Sequence, residues 1–204
     1  MQDVKEFLLI INLSKKTNHI ARMQKAPVYI GVFVEDSKSA NKEIRHQVIE
    51  GLKEITESIE DADPQIHNDL NNFENLFKLP NDSYHITTLF IGGNPKKLNP
   101  KQAKQFENFK SNQKTFIKLD CIVYVPGFIV CGYCSDTDGI EVDNKYPHVT
   151  LFLGNDAKAV ESNNVLESLA NANPEMFAKK EFKTGKYPLN YNKFDDAYVI
   201  GKKI

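Results

Sequence analysis

Residues 84–91 read YHITTLFI and residues 147–153 read PHVTLFL. Both runs are rich in β-branched and aromatic residues, and each is followed by a glycine, Gly92 or Gly154. That composition marks strands. In a strand, residues i and i+2 point to one face. His85-Ile86-Thr87 and His148-Val149-Thr150 therefore each present an imidazole beside a hydroxyl, with Ile86 or Val149 turned to a core. Thr88-Leu89-Phe90-Ile91-Gly92 also echoes Thr150-Leu151-Phe152-Leu153-Gly154. Two related strands, one in each half of the molecule, would explain the echo.

Two such strands facing one cleft offer two imidazoles and two hydroxyls to a small anion. The chemistry this suits is phosphoryl transfer without a metal. A neutral imidazole can take a proton from an attacking hydroxyl or water, and a protonated one can give a proton to the leaving oxygen. Threonine hydroxyls can donate to non-bridging phosphate oxygens as charge develops. Symmetric halves suit an in-line displacement, with a base on one side and an acid on the other.

Outward from these strands the pattern is mixed. Val28–Val34 (VYIGVFV) reads as a buried strand. Ile44, Val48, Ile49, Leu52 and Ile55 recur at helical spacing and predict a helix over about 40–59. Its end, Glu54 to Asp63, is acidic and reads as a solvated face and loop. Leu70, Phe73, Leu76 and Phe77 predict a short helix within 65–80, and Pro100 opens another over 100–110. Thr115–Val125 and Phe128–Cys134 read as two strands of a hairpin turned at Pro126-Gly127. A helix over Ala157–Ala170 and strands near 181–184 and 197–201 complete the chain. Hairpins beside helices give an α+β class. Residues 1–26 read as an N-terminal appendage to a domain spanning 27–204. Within it Phe7, Leu8, Ile10 and Ile11 suggest a docked amphipathic helix, flanked by the solvated Lys15-Lys16 and Arg22–Lys25 stretches.

Composition narrows the function classes. The 204 residues are 41% hydrophobic and 26% charged, as in an ordinary globular protein. A formal net charge of −1 excludes a strongly basic nucleic-acid coat, but not a local basic patch. Three cysteines exclude a secreted disulfide scaffold and favour a reducing setting, cytoplasmic or nuclear. The apolar run Phe7–Leu13 is too short to span a bilayer. Cys131-Gly132-Tyr133-Cys134 is a lone C-x-x-C at the end of a strand, which favours buried thiols over a redox or zinc site. Asp136-Thr137-Asp138-Gly139 lacks the full spacing of a calcium loop. No metal site is evident.

The paired motifs resemble the signature of the 2H phosphoesterase superfamily, named for two H-x-[ST] motifs. His85-Ile86-Thr87-Thr88 resembles the H-x-T-T form of the 2′,3′-cyclic nucleotide 3′-phosphodiesterase branch. His148-Val149-Thr150-Leu151 resembles the H-V-T-L form of that branch and of the 2′-5′ RNA ligase-like proteins. The resemblance implies a bilobal fold in which two antiparallel sheets face a central cleft with helices outside. It implies hydrolysis or formation of cyclic or 2′-linked phosphodiesters at RNA or nucleotide ends. His85 and His148 would be acid and base in an order left open, and Thr87 and Thr150 would hold the phosphate. A monomer needing no cofactor, with an RNA end or cyclic nucleotide as substrate, is the expectation. Alternatives are a ligase, an RNA-end-trimming enzyme, or a non-catalytic module gripping an RNA end.

One departure concerns register. Aligning the TLF echoes sets Thr88, not Thr87, opposite Thr150. Either the first strand carries a bulge near Thr87-Thr88, or the echo is hydrophobic patterning alone. Thr87 is preferred because it shares a face with His85, with Thr88 in reserve. Accessory candidates follow. Phe90 could stack a base, but strict alternation turns it away from His85 unless a bulge intervenes. Tyr84 and Tyr146 flank the histidines and could line the cleft or pack. Lys96, Lys97, Lys101 and Lys104 could touch an RNA backbone, although a solvated helix start is the preferred reading.

Overall fold

The computed structural model describes residues 8–14, 28–34, 37–80, 84–108 and 114–201. The elements are β1 (Leu8–Ser14), β2 (Tyr29–Val34), α1 (Ser37–Ser58), α2 (Gln65–Leu76), β3 (His85–Phe90), a 3-10 turn (Pro95–Lys97), α3 (Pro100–Asn108), β4 (Lys114–Lys118), β5 (Cys121–Val125), β6 (Ile129–Tyr133), β7 (His148–Leu153), α4 (Glu161–Ala172), α5 (Pro174–Lys179), β8 (Gly185–Tyr191) and β9 (Phe194–Gly201). The class is α+β, as the sequence implies.

The described strands form one sheet in the order β4-β1-β2-β3-β7-β6-β5-β9-β8. Every neighbouring pair is antiparallel. The expectation was two sheets facing each other. Here the two halves share one sheet, joined at β3 and β7 by the single pair Ile86–Val149.

Both faces carry a core. On one, α1 supplies Ile44, Val48, Leu52 and Ile55 and α2 supplies Ile66 and Phe73. These pack on Val32 and Val34 of β2, Ile86 of β3, and Tyr198 and Ile200 of β9. The four α1 residues fall at helical spacing, which is why that helix was legible. On the other face, Val165, Leu166 and Leu169 of α4 and Met176 of α5 cover Cys131 and Tyr133 of β6 and Val199 of β9. Below the first half, α3 packs Phe106 near Ile30 and Leu89.

Two expectations are corrected. The apolar run near the N-terminus is a strand, not a helix: β1 lies between β2 and β4. An interior strand takes apolar residues in succession, whereas an amphipathic helix repeats them every three to four residues. The basic stretches at 15–16 and 22–25 lie outside the described residues. The single strand expected over Thr115–Val125 is two. β4 closes the first half and β5 begins the second, on opposite sides of the β3–β7 seam. The chain breaks at Leu119-Asp120, where Leu119 occupies the space beside Gly132; a Cβ on Gly132 would lie 2.5 Å from it. The Asp120 carboxylate then accepts from Ser135 N at 2.5 Å. α5 had no counterpart in the periodicity.

Candidate functional site

The seam is where the two motifs meet. Ile86 and Val149 are the middle residues of the two H-x-T triplets, and they pair antiparallel. Counting one residue outward from that pair sets His85 across from Thr150 and Thr87 across from His148. All four side chains therefore share one face of the sheet, while Ile86 and Val149 are buried on the other.

Each motif is followed by a bulge. On β3, Gly31 pairs with Thr87 and Ile30 with Leu89, so Thr88 is the extra residue. On β7, Cys131 pairs with Thr150 and Val130 with Phe152, so Leu151 is the extra residue. The two halves thus correspond histidine to histidine and threonine to threonine, with a bulge after each threonine. The one-residue offset of the TLF echo is hydrophobic patterning laid over that correspondence. Thr87 is the residue facing His85's side.

His148 is buried, and its Nδ1 lies 2.8 Å from the carbonyl oxygen of Tyr146. A carbonyl only accepts, so Nδ1 carries a proton and Nε2 holds the free lone pair of the neutral ring. Burial lowers the pKa of His148 below its ordinary 6.5, the Tyr146 carbonyl pulls it back up, and the charge of His85 lowers it further. His85 is near enough for its charge to bear on the protonation of His148.

His85 is half-buried against aromatic rings. Its centroid lies 5.1 Å from Tyr29 and 5.2 Å from Phe33, with interplanar angles of 16° and 27°. Tyr29, Gly31 and Phe33 alternate along β2 and face the same way. Gly31 lies opposite Thr87 and is held to glycine by the Ile86 carbonyl, 2.9 Å from where a Cβ would stand. Tyr29 and Phe33 were not singled out in the sequence, where VYIGVFV reads as continuous core. The signal was present: two aromatics at i and i+4 with glycine between them.

Thr150 Oγ1 lies 2.8 Å from Ser162 Oγ and 3.3 Å from the carbonyl oxygen of Ala159. Both partners sit at the start of α4. Ser162 is fully buried, and its hydroxyl tempers the rise that burial gives the Cys131 pKa. It was another residue the sequence did not mark, because its partners are distant in the chain.

The remaining candidates divide. Phe90 faces the site, since the Thr88 bulge turns it from the core; it pairs with Tyr29 and is 62% exposed. Thr88 itself is buried, and its hydroxyl donates to Ile30 O at 3.1 Å. It is a structural anchor instead of a reserve ligand. Tyr84 is also a correction: it lies in the core under α1, its hydroxyl donating to Asn41 Oδ1 at 3.0 Å. It precedes His85 by one residue, so alternation points it to the opposite face. Tyr146 serves His148 through its backbone, while its ring packs edge-on to Phe177 at 5.5 Å. Lys96 and Lys97 are exposed on the 3-10 turn after β3, and Lys101 pairs with Glu141 at 3.6 Å. Cys131 and Cys134 are buried free thiols. Burial pushes the Cys131 pKa up to about 12.

No protein-family model matches the chain, and no curated protein matches it. Among solved structures, the fold is similar to the crystal structure of a fungal RNA kinase, with a TM-score of 0.51 and 20% sequence identity. The likeness covers 90% of this chain and 43% of that one, so this chain spans less than half the kinase's length. It is a likeness of fold.

Proposed function

We propose that this protein is a metal-independent phosphodiesterase that opens 2′,3′-cyclic phosphates at RNA or nucleotide ends. The carrying observation is the Ile86–Val149 pair, which sets His85, Thr87, His148 and Thr150 on one face. The fold's likeness to an enzyme acting on RNA supports an RNA end as the substrate class. Kinase chemistry is not carried over, because this sequence holds no G-x-x-x-x-G-K-[ST] phosphate loop.

The asymmetry of the imidazoles assigns their roles in this reading. His148 is held neutral with Nε2 free, so it acts as base and removes a proton from water. The water oxygen attacks phosphorus opposite one ribose oxygen of the ring. That P–O bond breaks, and His85 gives its proton to the departing ribose oxygen. The product is a phosphomonoester with a free neighbouring hydroxyl. Thr87 and Thr150 donate to the non-bridging oxygens as negative charge builds. The start of α4, beside Thr150, adds the favourable field of a helix N-terminus for an anion.

The test is turnover of a short RNA ending in a 2′,3′-cyclic phosphate, in EDTA, by wild type, His85→Ala and His148→Ala. Ring opening by wild type and loss of at least a hundredfold in each variant is expected. A wild type that binds the RNA end but never opens the ring would overturn the enzymatic reading in favour of an end-binding module.

A further inference from the structure

Past the end of α2 the chain touches the sheet at one residue, Lys78. Its N–H donates to Leu153 O at 2.9 Å, and its carbonyl accepts from Leu153 N at 2.8 Å. β6 holds Leu153 from the other side through Ile129, so Lys78 sits on the flank of β7 that β3 occupies at Val149. Residues directly opposed in an antiparallel pair turn their side chains to one face. Leu153 packs against the cluster that holds Cys131 and Tyr133, the partners of Thr150 and His148. Its face is therefore the face of the site. Alternation agrees: Phe77 and Leu79 pack in the core under α1, so Lys78 between them points the other way.

Lys78 is exposed there. Lys53, Lys101, Lys179 and Lys186 each pair with a carboxylate. Among the described residues none pairs with Lys78. The Glu161 carboxylate, on the nearby start of α4, is turned back onto Lys158 N at 2.6 Å. Because Leu151 is the extra residue of the β7 bulge, two regular strand positions separate Thr150 from Leu153, about 7 Å. His85 lies across from Thr150 on the same flank, so Lys78 stands one such step along the sheet from the imidazole. One ribose with its two ester oxygens spans that gap. An ammonium whose backbone is pinned to the motif strand, with no acid of its own, is built to meet an anion held beside the reacting one.

We infer that Lys78 binds the 5′-phosphate of the nucleotide whose 2′,3′-cyclic phosphate is opened. The ring closes the 3′ end, so the next phosphate a substrate can offer is the one on its own 5′ oxygen. The inference rests on the phosphodiesterase reading and narrows it: the substrate carries a 5′ monoester or diester, and a bare nucleoside cyclic phosphate is a poor one. A lysine reads charge as a point and not through a fork, so the contact is indifferent to base sequence.

The experiment compares three substrates: adenosine 2′,3′-cyclic phosphate, the same compound bearing a 5′-phosphate, and a dinucleotide ending in the same ring. Wild type should prefer the second and third over the first in kcat/KM by about five- to tenfold, more at low salt. The faster of those two identifies a terminal monoester or an internal diester as the natural occupant. Lys78→Met should bring the preference close to one, and Lys78→Arg should keep it. The bridge to Leu153 is made by backbone, so both variants should melt as wild type does. No preference in wild type, or an undiminished one in Lys78→Met, overturns the inference. Equilibrium binding of a short fluorescent RNA ending in a 3′-phosphate, which has no ring to open, separates this from the catalytic reading. Lys78→Met should reduce the slope of log K against log salt concentration by about 0.7, the share of one phosphate contact on a single strand. That reduction supports the subsite even if wild type opens no ring, and equal slopes remove it.

Discussion

Ser162 Oγ, in the first turn of α4, lies 2.8 Å from Thr150 Oγ1 on β7. Thr150 has a single hydroxyl proton, and in the resting site the Ala159 carbonyl, at 3.3 Å, competes for it. A hydrogen bond donated by Ser162 would leave that proton aimed at an incoming phosphate oxygen. Ser162 is on this argument a positioning residue. Ser162→Ala should lower kcat about three- to tenfold with a smaller change in KM. It should also cost about 1 kcal/mol of stability for the lost buried bond. Steady-state kinetics beside a thermal melt decide the matter, because a merely structural serine would lower the melting temperature and spare kcat.

His148 makes stability depend on pH and, under the proposed mechanism, turnover as well. Its folded-state pKa is depressed below 6.5, chiefly by burial. Between that depressed value and 6.5 the unfolded chain binds more protons than the folded one, so stability rises with pH. The favourable contribution is complete above 6.5 and drains away as pH falls through the folded value. His148→Gln should flatten this acid-side loss in denaturation followed at several pH values. In wild type the acidic limb of kcat/KM, set by the base, should fall below pH 6.5.

Gly31 is fixed by the backbone of the motif strand. A Cβ there meets the Ile86 carbonyl oxygen at 2.9 Å, which a flexible side chain could yield to but a paired strand cannot. Gly31→Ala should cost about 1–3 kcal/mol, the usual range for overpacking. Because Ile86 lies between His85 and Thr87, turnover should drop as well, in a protein that still unfolds cooperatively. Urea unfolding and kcat measured on the same preparation check both effects.

The thiols should be silent. Cys121, Cys131 and Cys134 are buried and in no disulfide, and burial raises the Cys131 pKa to about 12. Thiolate is the reactive form. The folded protein should react negligibly with a disulfide reagent at neutral pH, and all three thiols should titrate on unfolding. Rapid native labelling at Cys131 or Cys134 would restore a redox role for the C-x-x-C.

The elements the sequence revealed are those fixed by local periodicity. Ile44, Val48, Leu52 and Ile55 define α1 without reference to any partner, and His85-Ile86-Thr87 declares its shared face by spacing alone. What escaped was set by distant partners. β1 is a strand because β2 and β4 flank it, and β4 follows β1 by a hundred residues. The Thr88 bulge is held by Asp143 and Gln105, so nothing within TLFI distinguishes it from regular strand. Tyr29 and Phe33 were hidden because a run apolar on both faces looks the same whether one face meets a core or a histidine.

Gly51 of α1 packs so closely on β9 that a Cβ would stand 2.6 Å from the Ile200 side chain. The first helix of the described chain is therefore covered by the last strand. During vectorial synthesis, at about 5–20 residues per second, the apolar stripe of α1 is made early and stays uncovered along β9's share until residues near 200 have emerged. The half bearing His85 can assemble its own strands once β4 is available, but it gains its final cover from the other end of the polypeptide. The nascent protein thus passes through an interval in which the strand bearing His85 and Thr87 exists beside an open hydrophobic flank, a state a chaperone would recognise and loss of β9 would make permanent.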